Sequence, residues 1–148
     1  MSTSHDVRIT MLEPADARTF LAAQHVGRLA FTLHDRVDIE PIHYVNEGDW
    51  LFGRTTRGTK IAKLLHQPWC ALEADEIHGL FDWTSVVAKG VFYILDPDDG
   101  TNDRYARAEE LLRRLVPGSL TAQDPAPRRT TVFGIFVHEL TGRTATAH

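Results

Sequence analysis

Arg54, Arg57, Lys60 and Lys63 fall within residues 50–72, a stretch that contains no acidic residue. It carries +4 in a chain whose 16 basic and 20 acidic residues sum to -4. Threaded among the cations are Thr55, Thr56, Gly58 and Thr59. Small hydroxyl side chains, cations and the free N–H groups of a helix start form a concave cluster of donors suited to a phosphate. Arg54 offers a planar two-pronged donor and Lys60 a compact point charge, which together match a phosphate monoester. The same residues also suit a plain solvated helix face, because Arg57, Lys60 and Lys63 recur every three positions. No GxxxxGK[ST] loop is present, and no GxGxxG follows a strand, so nucleoside triphosphate hydrolysis and a Rossmann dinucleotide site are disfavoured.

Other constellations are weaker. His66, Cys70 and His78 are separated by four and eight positions, which matches no common zinc pattern, and no metal site is expected. Cys70 follows Trp69 in an apolar run and reads as a small core residue. Asp96, Asp98, Asp99 and Asp103 surround Pro97 and Gly100 without the glutamate of a calcium loop, so an acidic turn capping the next helix is expected. Trp50, Trp69 and Trp83 lie in or beside strand-like runs, where packing is the default role.

These residues must be positioned by elements whose signals alternate along the chain. Residues 12–25 suit a helix with Pro14 in its first turn, stopped by Gly27. Arg28 to Leu33 forms a first strand, and Val37 to Val45 a second one interrupted by Pro41. Asn46 to Asp49 makes a hairpin turn into Trp50, Leu51 and Phe52. Ile61, Leu64 and Leu65 place a short helix over Thr59 to His66, ended by Gln67-Pro68. Trp69 to Ala74, Thr84 to Leu95 and Thr131 to Leu140 are strand-rich in β-branched and aromatic residues. Tyr105 to Leu115 has helical spacing and closes at Pro117-Gly118, and the final TGRTATAH reads as a polar tail. The sum is six mostly antiparallel strands with short flanking helices, a mainly β architecture that avoids exposed sheet edges by closing into a barrel.

Composition bounds the rest. A chain of 148 residues, with 43% hydrophobic and 24% charged residues, fits a single domain over 1–148 with a core of its own. An acidic net charge disfavours nucleic acid. One cysteine excludes a disulfide framework. No secretory leader or membrane-length apolar run is present, so a soluble cytoplasmic protein is expected.

The order of GRLAF, the Pro41 strand, LFGRTTRGTKIAKL, WCALEAD, WTSVVAKGVFYIL and FVHELTGR resembles the flavin-binding split β-barrel superfamily of pyridoxamine 5'-phosphate oxidase-like proteins. The resemblance spans about residues 12–143 and looks closest to the branch of Nim-like nitroimidazole-resistance proteins. It implies a homodimer of six-stranded split barrels with two FMN molecules at the subunit interface and a small-molecule substrate. It also implies that Arg54, Thr55, Thr56 and Lys60 hold the FMN phosphate, with Arg57 a ligand or a bystander. Ile42, His43 and Tyr44 would approach the isoalloxazine ring, and Thr84, Ser85 and Val86 would lie near the interface. Because imidazole titrates near neutral pH, His43 is the side chain best suited to move a proton beside that ring, although a strand histidine satisfied by the backbone fits equally well.

Two departures qualify the resemblance. Nim-like proteins usually carry a histidine after the phenylalanine of the third strand, where this chain has Gly53, and the C-terminal arginine-leucine-proline signature of true pyridoxamine phosphate oxidases is missing. Both nitroimidazole reduction and vitamin B6 oxidation are thereby disfavoured. The superfamily also implies two alternatives to an FMN-dependent oxidoreductase: a reductase using the deazaflavin F420, and a noncatalytic carrier or sensor of flavin or haem.

Overall fold

The computed structural model describes residues 6–98 and 103–147. Its elements run β1 (Val7–Met11), α1 (Pro14–Ala23), β2 (Val26–Leu33), β3 (Arg36–His43), β4 (Val45–Glu47), β5 (Trp50–Thr55), α2 (Thr59–His66), β6 (Trp69–Gly79), β7 (Asp82–Ile94), α3 (Arg104–Leu115) and β8 (Thr131–Ala147). All pairings are antiparallel, in the order β3-β2-β6-β7-β8-β5-β4, with β1 added on β8.

The two ends of that order are one continuous piece of chain. β3 pairs with β2 through Val26↔His43, and only Tyr44 separates it from β4, which pairs with β5 from Val45↔Phe52 onward. The Tyr44 N–H donates to the His25 carbonyl at 3.0 Å, the last tie to the β2 side. The expected second strand therefore splits at Tyr44 and closes the sheet into a split β-barrel. Counted as one bent strand, β3–β4 completes the six expected strands.

Two differences from the expected elements concern the ends. The expected polar tail is strand: β8 continues to Ala147, pairing with β7 as far as Trp83↔Ala145 and with β1 throughout. Its polarity concealed a strand in which Gly142 and Ala145 are both buried, three positions apart and so on opposite faces, with the β-branched Thr144 between them. β1, a fully exposed strand, was absent from the expected set and forms only because this extension offers it a free edge. Gly90 serves the same long strand, since a Cβ there would strike the Phe136 carbonyl where β8 bulges at His138.

The main core fills the barrel with Leu29, Tyr44, Leu51, Leu72, Val86, Phe133 and Ile135, and α1 and α2 contribute Leu21, Ile61 and Leu64. A second cluster lies outside the barrel, where Ala108 and Leu112 of α3 cover Phe52 and Val132. α3 continues into residues 116–130, which run back over the end of β5 before β8 begins. This strap and the loop from Thr56 to Gly58 frame the site. Asp103 sits at the start of α3 but its carboxylate makes no capping bond; Asp96 accepts from the Asp98 N–H at 2.8 Å, and Asp99 and Gly100 lie outside the described residues.

Candidate functional site

Between β3 and the β5–α2 loop lies a cleft of about 420 Å³. Ile42 and His43 line it from β3, and Arg54, Thr55, Thr56, Arg57 and Lys60 line it from the opposite side. Seven of the expected cofactor contacts thus come together, although Ile42 and Arg54 are separated by a hairpin in sequence. α2 points its first turn at this space. Gly58 at its cap has no side chain to satisfy the first N–H groups, and no acidic residue stands in the first turn.

The charges are less free than the sequence implies. Lys60 Nζ lies 2.9 Å from the Glu40 carboxylate, and Lys63 pairs with Asp38, both acids from β3. Arg54 is buried and paired with Asp124 of the strap. Asp124 also accepts from the backbone N–H groups of Leu120 and Ala126, each at 2.8 Å. The Arg54 guanidinium beside Asp124, together with those two N–H groups, holds its carboxyl well below the usual range. Arg57 is exposed and has no acidic partner among the described residues. The same holds for Arg129, a cleft residue that sequence reasoning missed because it follows the helix by more than a dozen positions.

The remaining expected contacts are placed elsewhere. Tyr44 is fully buried in the barrel, and its hydroxyl donates to the Leu21 carbonyl at 2.7 Å. Burial, with Glu73 nearby, pushes its phenol far above its usual range. Val86 is also core. Thr84 exchanges a 3.1 Å hydrogen bond with Thr144. Ser85 faces outward and donates to Glu73 at 2.9 Å, within a polar cluster that includes Arg28 and Asp75. Burial and the neighbouring Asp75 raise the Glu73 carboxyl, against the pull of Ser85 and Arg28. None of Tyr44, Thr84, Ser85 and Val86 lines the cleft.

Among the described residues no group of three or more His, Cys, Asp or Glu side chains is placed to hold a metal ion. Cys70 is buried, and burial pushes its thiol up to about 12. No helix among the described residues is long and apolar enough to cross a membrane. Gly53 faces the barrel interior, where the Phe133 ring occupies the space a side chain would need.

Comparison with known proteins places this geometry. Residues 13–145 match the family model described as pyridoxamine 5'-phosphate oxidase. No curated protein matches the chain. Among solved structures, an FAD-binding protein from Mesorhizobium loti superposes with a TM-score of 0.77 at 23% identity, over 95% of this chain and 99% of that one. A candidate 5-nitroimidazole antibiotic resistance protein from Bacteroides thetaiotaomicron gives 0.67 at 15% identity, over 99% and 96%. The FAD and heme binding protein from Mycobacterium smegmatis gives 0.67 at 14% identity, over 90% and 72%.

Proposed function

The chain belongs to the pyridoxamine 5'-phosphate oxidase family, and on that premise we propose that it is a flavin-binding protein acting as an oxidoreductase on a small molecule. The observation that carries this reading is the convergence of Arg57, Lys60, Thr56 and the α2 N-terminus on one cleft, against the β3 edge at Ile42 and His43. A phosphate needs charge-assisted donors, and a flat ring needs an apolar edge with backbone groups for its pyrimidine side. Both are present within one opening. Lys60 would exchange Glu40 for the phosphate, and Arg57 would turn inward. Arg54 serves by holding the strap rather than by touching the phosphate.

FMN, the mononucleotide, is the ligand this set fits best, and when bound the flavin supplies the hydride chemistry. His43, which lines the cleft, would hold or move a proton at its imidazole beside the ring. A cleft open along one side is incomplete for a ligand of that size, which supports a homodimer with the cofactor between two chains. In that assembly Thr84 and Ser85 would meet the flavin of the other protomer. A cytoplasmic setting belongs to the same proposal.

The test is direct. Purified protein should absorb near ~450 nm, as a bound flavin does. Colourless protein that takes up no added FMN would overturn the reading. Parallel titrations with FAD, F420 and haemin rank the alternatives, and flavin uptake without turnover on any acceptor would favour a carrier or sensor.

A further inference from the structure

A second, smaller cavity of about 160 Å³ opens beside the cleft and shares His43, Arg54 and Arg129 with it. Beyond that shared mouth its walls change character. Leu112, Leu115 and Val116 come from the end of α3, and Pro125 and Ala126 from the strap. The strap is fixed from below, because Asp124 binds Arg54 through its side chain and Leu120 and Ala126 through their N–H groups. Ser119 spends its hydroxyl on the Val116 carbonyl, so it offers the cavity no free donor. The apolar wall is therefore built by two elements and locked by a buried ion pair, not left by loose packing.

Charge at the mouth selects what enters. Arg54 is neutralised by Asp124, whereas Arg129 has no acidic partner among the described residues. An uncompensated guanidinium at the rim of an apolar chamber favours a carboxylate attached to an apolar body. The chamber accepts a hydrocarbon chain of a few carbons or one ring, and it is too small for a three-ring flavin. Its mouth meets the cleft at His43, where the proposed ring would lie.

We propose that this annex is the substrate pocket of the site and takes a small apolar acid, its body between Leu112, Leu115 and Pro125 and its carboxylate on Arg129. The inference rests on the flavin reading above, which puts the reactive ring against Ile42 and His43. Hydrophobic burial holds the body, and the Arg129 contact sets its orientation toward the ring.

Benzoate is the probe, titrated into the FMN-loaded protein and read as a saturable perturbation of the flavin spectrum. The neutral isostere benzamide should bind about tenfold more weakly, as expected on losing one charge-assisted contact. Arg129→Ala should remove that preference and Arg129→Lys restore part of it. Ala126→Leu and, independently, Leu115→Phe should abolish benzoate binding while FMN affinity is kept. Absence of saturable benzoate binding, or equal binding of benzamide, overturns the proposal. Loss of FMN in both annex-filling variants, each still folded by circular dichroism, also overturns it, because the flavin would then occupy the annex. If the wild-type chain takes no FMN, the flavin reading fails instead; calorimetric titration of benzoate into the protein alone then separates the two.

Discussion

Arg54 and Asp124 stand 70 positions apart in the chain and form a buried ion pair beneath the strap. The pair engages an arginine that the sequence offers as a phosphate ligand and ties it to the segment that walls the cleft. Breaking it by removing one partner leaves a buried charge uncompensated, which is costly.

Asp124→Asn should therefore lower stability at neutral pH and flatten its acid dependence. The folded carboxyl is held below its usual 3.8, so its contribution is complete above that value and is lost as pH falls below it. Urea unfolding at neutral and acid pH, in wild type and variant, measures both effects. A variant as stable as wild type at neutral pH would dismiss the fastener role.

Removing the cations proposed to hold the phosphate should act on binding rather than on folding. Arg57→Ala with Lys60→Ala is expected to weaken FMN binding by roughly 3 kcal/mol, about two orders of magnitude, while leaving the melting temperature close to wild type. Arg54→Ala should show the reverse emphasis, with a lower melting temperature and a smaller loss of affinity once folded. Fluorescence titration of FMN alongside thermal melts separates the two kinds of arginine.

Much of this site was legible because local signals coincide with it. The β5–α2 loop announces itself by charge, hydroxyls and a helix start within a few residues, and Pro41 marks the strand that faces it. What pairs with those cations was not legible. Asp38, Glu40 and Asp124 neutralise three of them across β3 and the strap, and such contacts depend on tertiary closure rather than spacing. Arg129 carries no local pattern at all. Tyr44 turns into the core, on the same side as buried Ile42 and opposite exposed His43, as strand alternation requires; the expectation that all three approach the ring came from the resemblance and not from that alternation. The C-terminal strand was hidden because threonine and glycine read as polar, although β-branched threonine suits a strand and glycine a close approach.

Tyr44→Phe tests that placement. Losing the hydroxyl leaves the Leu21 carbonyl without its buried donor, and stability should drop by about 1–3 kcal/mol. FMN affinity should be unchanged, since the ring side chain never reaches the cleft. A selective loss of FMN with normal stability would return Tyr44 to the cofactor.

Alkali should destabilise the fold through Cys70. Its folded thiol titrates near 12 against a usual 9.0, so the unfolded chain releases its proton first. Stability from this group is whole below 9.0 and declines as pH rises toward 12, the direction in which buried Tyr44 also pushes. Cys70→Ala should show a shallower decline over that window in denaturant titrations. Thiol-reactive dye should label the wild-type protein only as fast as it opens.

Gly53 gives a packing reason for the departure from the Nim-like pattern. The Phe133 ring, itself stacked on Phe92 at 5.1 Å, fills the volume beside Gly53 that a side chain would take. Gly53→Ala must displace that ring and should cost about 1–3 kcal/mol, with Gly53→His worse. Phe133→Leu alone opens a void and is destabilising, yet in the double variant its smaller side chain makes room for the new methyl group. The two changes should therefore compensate, with a double-mutant cycle showing a favourable coupling. Additive losses would mean that the backbone at Gly53, rather than the Phe133 ring, excludes the side chain.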